Sequence, residues 1–231
     1  VMDEQFNSAV TDIFRNEYLS PRSPYTTLQI PKQGIGEWCH PLHTVDIDDS
    51  GLRSSVQKGV LNTKLGVPFR TPAEGQNIAF TSLWDNYPDS LTVSLKGKAS
   101  RAYLLMAGST NHMQCHIDNG LIRVYYKDGT CDKMALRNPD NWAPIEHIFF
   151  EDDLAFNRHA PALYRLRLKT GEISNNFGEE LGFPGASREL DGGAAILLEM
   201  PLNPDKKLSH LVLETLSNDV VIGLMGITLQ R

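Results

Sequence analysis

Cysteine is scarce in this chain: only Cys39, Cys115 and Cys131 occur among 231 residues, at irregular spacing. An odd, unpatterned set gives no disulfide framework and allows one bridge at most, so cysteine says nothing about the compartment. No apolar run approaches the roughly 20 residues that a bilayer-crossing helix requires. The N-terminus also has none of the charged-then-apolar plan of a secretion signal. An export signal is therefore expected outside these residues, whose opening VMDEQFNSAV reads as a mature or excised piece. Positive charge is in deficit, with 22 Lys and Arg against 28 Asp and Glu and a net charge of -6. A phosphate-backbone partner favours clustered Lys and Arg, so nucleic acid is not an expected ligand. There is no G-x-S-x-G nucleophile elbow, no phosphate loop and no complete metal-ligand motif.

The chain is otherwise of ordinary globular composition, 41% hydrophobic and 22% charged, which predicts folded structure nearly throughout. From Met2 to Tyr18, Phe6, Val10, Ile13, Phe14 and Tyr18 recur at spacings of three and four, and this predicts a short amphipathic helix that ends before Pro21. Residues 20–58 are rich in Pro, Gly and polar side chains but hold Leu28, Ile30, Ile35 and Trp38. They read as an ordered connector rather than a flexible tether. The expected division is a helix and connector over 1–58 and a β domain over 59–231.

Beyond Leu61 the period becomes two. Leu91, Val93 and Leu95 alternate with Thr92, Ser94 and Lys96, and Ile122, Val124 and Tyr126 with Arg123, Tyr125 and Lys127. Tyr164, Leu166 and Leu168 repeat the pattern, each set marking a strand with one dry face. Asp128-Gly129 and Thr170-Gly171 stand where hairpin turns are needed. Three further strands are expected in Ala194–Leu202, His210–Leu216 and Val220–Leu229, the last apolar enough to be covered on both faces. Together these segments predict a mainly β chain, a two-sheet antiparallel β-sandwich with a short N-terminal helix.

Several side-chain groups could carry chemistry. Trp84, Asp85, Asn86 and Tyr87 lie in LWDNYPDS, and Asp140, Asn141 and Trp142 in NPDNW. Aromatic planes stack on the C–H faces of sugar rings while Asp and Asn bond the hydroxyls, so these seven residues form a candidate saccharide site. The competing reading, in which the aromatics cap the ends of the sandwich, carries more weight because large aromatics bury readily. Asp46, Asp48 and Asp49, and likewise Glu151, Asp152 and Asp153, offer oxygens to a hard cation such as calcium, although neither set follows a defined loop pattern and a solvated acidic turn suits both. Cys39, His40 and His43, with His112, Cys115 and His116, hold zinc-type donors at spacings that fit no zinc module. Glu37, Glu146, Glu179 and Glu180 are available as paired carboxylates for glycoside hydrolysis, yet nothing in the sequence brings two of them together.

The order GVPF (66–69), G-x-N-I-A-F (75–80), LKGKASRAYLLMAGST (95–110), VYYKDGT (124–130) and NPDNW (138–142) resembles the galactose-binding-like, jelly-roll β-sandwich domains attached to bacterial glycoside hydrolases. It is most similar to the C-terminal sandwich of an uncharacterised glycoside-hydrolase-like family from polysaccharide-degrading bacteria, and VTDIFRNEYLSPRSPYTTLQIPKQGIGEWCHP is similar to that family's connector. The resemblance implies a periplasmic, cell-surface or secreted setting and an upstream helical domain that carries the catalytic acids. It implies a non-catalytic module that supports the enzyme or binds carbohydrate. A purely structural interdomain packing module and a self-sufficient hydrolase are the alternatives.

Overall fold

The computed structural model describes residues 2, 4–16, 46–84, 86–110, 115–149, 158–176, 187–218 and 220–231. The chain is mainly β, with 49% of residues in strands and 5% helical, which excludes a helical body. A single α-helical turn, α1 (Ser50–Ser54), precedes the strands. In chain order these are β1 (Val56–Gln57), β2 (Val60–Asn62), β3 (Pro68–Arg70), β4 (Ala79–Ser82), β5 (Ser90–Ser94), β6 (Arg101–Thr110), β7 (Asp118–Tyr126) and β8 (Cys131–Arg137). There follow β9 (His147–Phe149), β10 (Tyr164–Arg167), β11 (Ile173–Ser174), β12 (Ser187–Glu189), β13 (Ala194–Pro201), β14 (Leu208–Thr215) and β15 (Val220–Gln230). No helix among the described residues is long and apolar enough to cross a membrane.

Two antiparallel sheets dominate, one ordered β11-β10-β13-β6-β15-β4 and the other β5-β14-β7-β8. The smaller sheet follows the period-two pattern. Leu91 and Val93 of β5 lie opposite Leu213 and Leu211 of β14, which in turn lie opposite Ile122 and Val124 of β7. All six are buried in one cluster with Leu104 and Met106 of β6, Ile196 and Leu198 of β13, and Ile222 of β15, so a single apolar layer joins the two sheets in a sandwich-like arrangement. The outer face of the small sheet is polar, with Arg123 paired to Glu214 and the Tyr125 ring stacked on His210 at 4.7 Å.

The larger sheet is covered on its other face as well. There Leu105 and Ala107 of β6, Ala195 and Leu197 of β13, and Val221 and Met225 of β15 pack against Val10, Ile13, Leu52, Phe69 and Phe80. This explains the nearly unbroken apolar run of β15, since a strand dry on both faces has no place for a polar alternate.

The N-terminal segment departs from the expected helix. Its apolar residues Phe6, Val10 and Ile13 are buried, but the backbone forms only a 3-10 turn at Val10–Asp12, and Tyr18 lies outside the described residues. The competing partner is the edge of β4. Asn7 and Ser8 donate their amides to Ile78 O, Asn77 and Ile78 donate back to Ser8 O, and the Asn7 side chain bonds both the N–H and the carbonyl of Phe80. Amides satisfied by a strand edge are not available to an i−4 ladder, and the contact also shields that edge. Most of the expected connector, residues 17–45, lies outside the described residues.

The Asp128-Gly129 hairpin forms as expected, with Gly129 at φ 87° and Tyr126 N–H donating to Thr130 O. Asp128 accepts from the Thr130 hydroxyl at 2.6 Å and its amide at 2.9 Å, and pairs with Lys206 at 2.9 Å. The Thr130 hydroxyl, then Lys206, hold the Asp128 carboxyl down at about 2. A carboxyl depressed in the folded state stabilises fully above its ordinary value of 3.8 and loses that contribution as pH falls towards about 2. Asp128→Asn should therefore lower stability near neutrality, where the contribution is present, and flatten its fall across that window, as read from urea midpoints at pH values either side of it.

Candidate functional site

The NPDNW turn is held from several sides. Trp142 is fully buried, and its indole packs so tightly over Gly108 that a Cβ on that glycine would stand 2.8 Å from the ring. Asn141 closes the turn by accepting from Arg137 N–H at 2.7 Å and donating to Ala135 O at 2.8 Å. The Asn138–Pro139 peptide is cis. Asp140, in the same turn, is partly buried, and its Oδ1 accepts the backbone N–H of His159 at 2.7 Å.

Two imidazoles converge on that carboxylate. His116 Nδ1 stands 3.7 Å from Asp140 Oδ2, His159 Nδ1 stands 3.5 Å from Asp140 Oδ1, and the rings lie 4.7 Å apart. His116 is positioned by its own amide, which donates to Asn138 O at 2.7 Å, and by the bridge between Cys115 and Asn138. One donor atom from each of the three residues lies within 4.8 Å of the others, the only such convergence among the described residues.

The remaining expected site residues are dispersed. Trp84 is buried and its indole N–H donates to Asn218 O at 2.8 Å, while Asp85 lies outside the described residues. Asn86 is exposed, and Tyr87 is buried against Phe80 at 5.0 Å with its hydroxyl donating to Ser8 and accepting from Asn16. Asn86 and Tyr87 line a polar pocket of 480 Å³ together with Asn7, Asp12, Asn16 and Gln76. Trp84 and Trp142 do not line it, and their burial leaves neither indole as an open stacking platform.

Asp46, Asp48 and Asp49 serve separate partners and do not share one. Asp46 is exposed beside Arg15, Asp48 accepts from Ser50 N–H at 3.0 Å, and the buried Asp49 accepts from Arg53 and Asn77, both at 2.8 Å. Hydrogen bonds from Ser50, side chain first, hold the Asp48 carboxyl below its ordinary value. Glu151, Asp152 and Asp153 lie outside the described residues.

Of the zinc-type donors, Cys39, His40, His43 and His112 lie outside the described residues. Cys115 Sγ accepts from Asn138 Nδ2 at 3.4 Å and is not among the donors that converge with His116. His116 thus finds its companions in Asp140 and His159, not in its own motif. No sequence spacing signals this set, because it spans three segments that only the fold assembles. Among the carboxylates, Glu37, Glu179 and Glu180 lie outside the described residues, and Glu146 is buried beside Arg165. The Arg165 guanidinium, buried, is pushed down to about 10 by desolvation and supported by the Glu146 charge.

The fold and site together define a sandwich-like, mainly β chain with a polar pocket along one edge and a two-histidine, one-carboxylate cluster gathered from three connecting segments. No family model, no curated protein and no solved structure matches it.

Proposed function

We propose that this chain is a non-catalytic, galactose-binding-like jelly-roll module that presents carbohydrate to, and supports, a larger bacterial glycoside-hydrolase-like protein outside the cytoplasm. The observation that carries the reading is the pocket of 480 Å³ lined by Asn7, Asp12, Asn16, Gln76, Asn86 and Tyr87. The exposed amides of Gln76 and Asn86 and the Asp12 carboxylate offer donors and acceptors to saccharide hydroxyls, while internal bonds to Phe80, Ser8 and one another hold Asn7, Asn16 and Tyr87 in place. The pocket lies where the N-terminal segment crosses the edge of β4, a place that two fixed backbones hold open.

Gln76→Ala and Asn86→Ala test this directly, since both side chains are exposed and their loss leaves the core intact. On a glycan array the unsubstituted chain should retain at least one glycan class, and each variant should lose roughly tenfold in affinity, about the worth of one or two hydrogen bonds. Retention unchanged in both variants would reject the pocket. A chain that retains no glycan is instead a packing module, the reading favoured by the burial of Trp84 and Trp142. Turnover of aryl glycosides by the chain alone would make it a hydrolase.

A further inference from the structure

The geometry points to a second site, a divalent transition-metal centre formed by His116, Asp140 and His159, which shares no residue with the polar pocket. The ring-nitrogen to carboxylate distances of 3.5 and 3.7 Å are too long for hydrogen bonds. They suit ligands around a shared ion, because metal–donor bonds of about 2.0–2.1 Å place tetrahedral neighbours about 3.4 Å apart. His116 Nδ1 is itself buried from solvent with no hydrogen-bond partner, and it faces the carboxylate. A buried imidazole nitrogen beside a carboxylate it does not hydrogen-bond is the arrangement that a cation completes.

The donor set selects the class of ion. Two imidazoles with one carboxylate suit zinc and its first-row neighbours, whereas calcium and magnesium take oxygen ligands almost throughout. Three protein ligands leave a position for water. The supporting contacts are already in place: Asn141 and Trp142 fix the turn that carries Asp140, and the His159 amide is bonded to that same carboxylate. The ion would tie the loop before β7, the turn after β8 and the segment before β10 into one unit.

Titration of the metal-free full chain with zinc in a calorimeter should give one site per chain, with a melting temperature several degrees higher at about a hundredfold excess over the dissociation constant. Cobalt(II) in its place should give the intense visible bands of a four- or five-coordinate centre, without the near-ultraviolet charge-transfer bands of thiolate ligation. His159→Ala is the decisive variant because its ring is 67% exposed and its removal spares the core. It should melt with the metal-free unsubstituted chain yet lose at least about tenfold in zinc affinity, and Asp140→Asn should do likewise. Failure of the unsubstituted chain to bind zinc, full-strength binding by His159→Ala, or a thiolate spectrum would each overturn the assignment.

Discussion

Gly108→Ala should lower the stability of the chain by about 3 kcal/mol or more, the upper range for overpacking a close-packed core. Gly108 sits in β6, the strand flanked by β13 and β15, opposite Ile222. A Cβ there would stand 2.0 Å from Val221 O and 2.8 Å from the Trp142 ring. The first obstacle is backbone in a neighbouring strand, so no rotamer change relieves it, and the second is the anchor of the NPDNW turn. Gly226→Ala offers the contrast, since its Cβ would meet Phe69 Cδ1 at 3.1 Å, an overlap with a side chain and not with backbone. That variant should cost under about 1 kcal/mol. Urea unfolding followed by fluorescence reads both, because Trp84 and Trp142 pass from buried to solvated on unfolding. Equal midpoints for the two variants would show that the β6–β15 approach is looser than described.

Glu146→Leu should be as damaging, by about 3–5 kcal/mol, because it leaves a buried guanidinium without its counter-charge. Arg165 is 4% exposed and donates through Nη2 to Pro144 O at 2.6 Å and Ala194 O at 3.1 Å, so it cannot swing out to water without giving up both. Joint replacement with Arg165→Met removes the charge that the single change strands, and most of the lost stability should return. Midpoints of the four proteins in one cycle give the coupling energy. A double variant no better than Glu146→Leu alone would mean that Arg165 acts through its carbonyl contacts and not through charge.

The strands were legible where one face is dry and the other wet. Leu91, Val93, Ile122 and Val124 declare their register because a slip of one residue would invert every side chain. The helix expected at the N-terminus shows the weakness of spacing alone. Phe6, Val10 and Ile13 are buried as their period suggests, but the amides of Asn7 and Ser8 go to Ile78 O and that of Val10 to Asn77 Oδ1, residues far away in sequence. For Trp142 the weightier of its two readings, burial, is the one the structure shows. Its polar neighbours suggested a wet surface, yet Asn141 spends its amide on the turn's own backbone and so lets the indole go inward. His159 was invisible because its partner carboxylate belongs to another segment, and Asn86 and Tyr87 were found without the residues that complete their pocket.

The place of β15 between β6 and β4 has a consequence for synthesis. While the ribosome is still making the preceding residues, those two strands have no mutual pairing, and each exposes an open hydrogen-bonding edge. The large sheet therefore closes only when Val220–Gln230 emerges and zips between them. Until then the nascent chain depends on its earlier hairpins, and on whatever chaperone meets it, to avoid pairing with its neighbours on the same message.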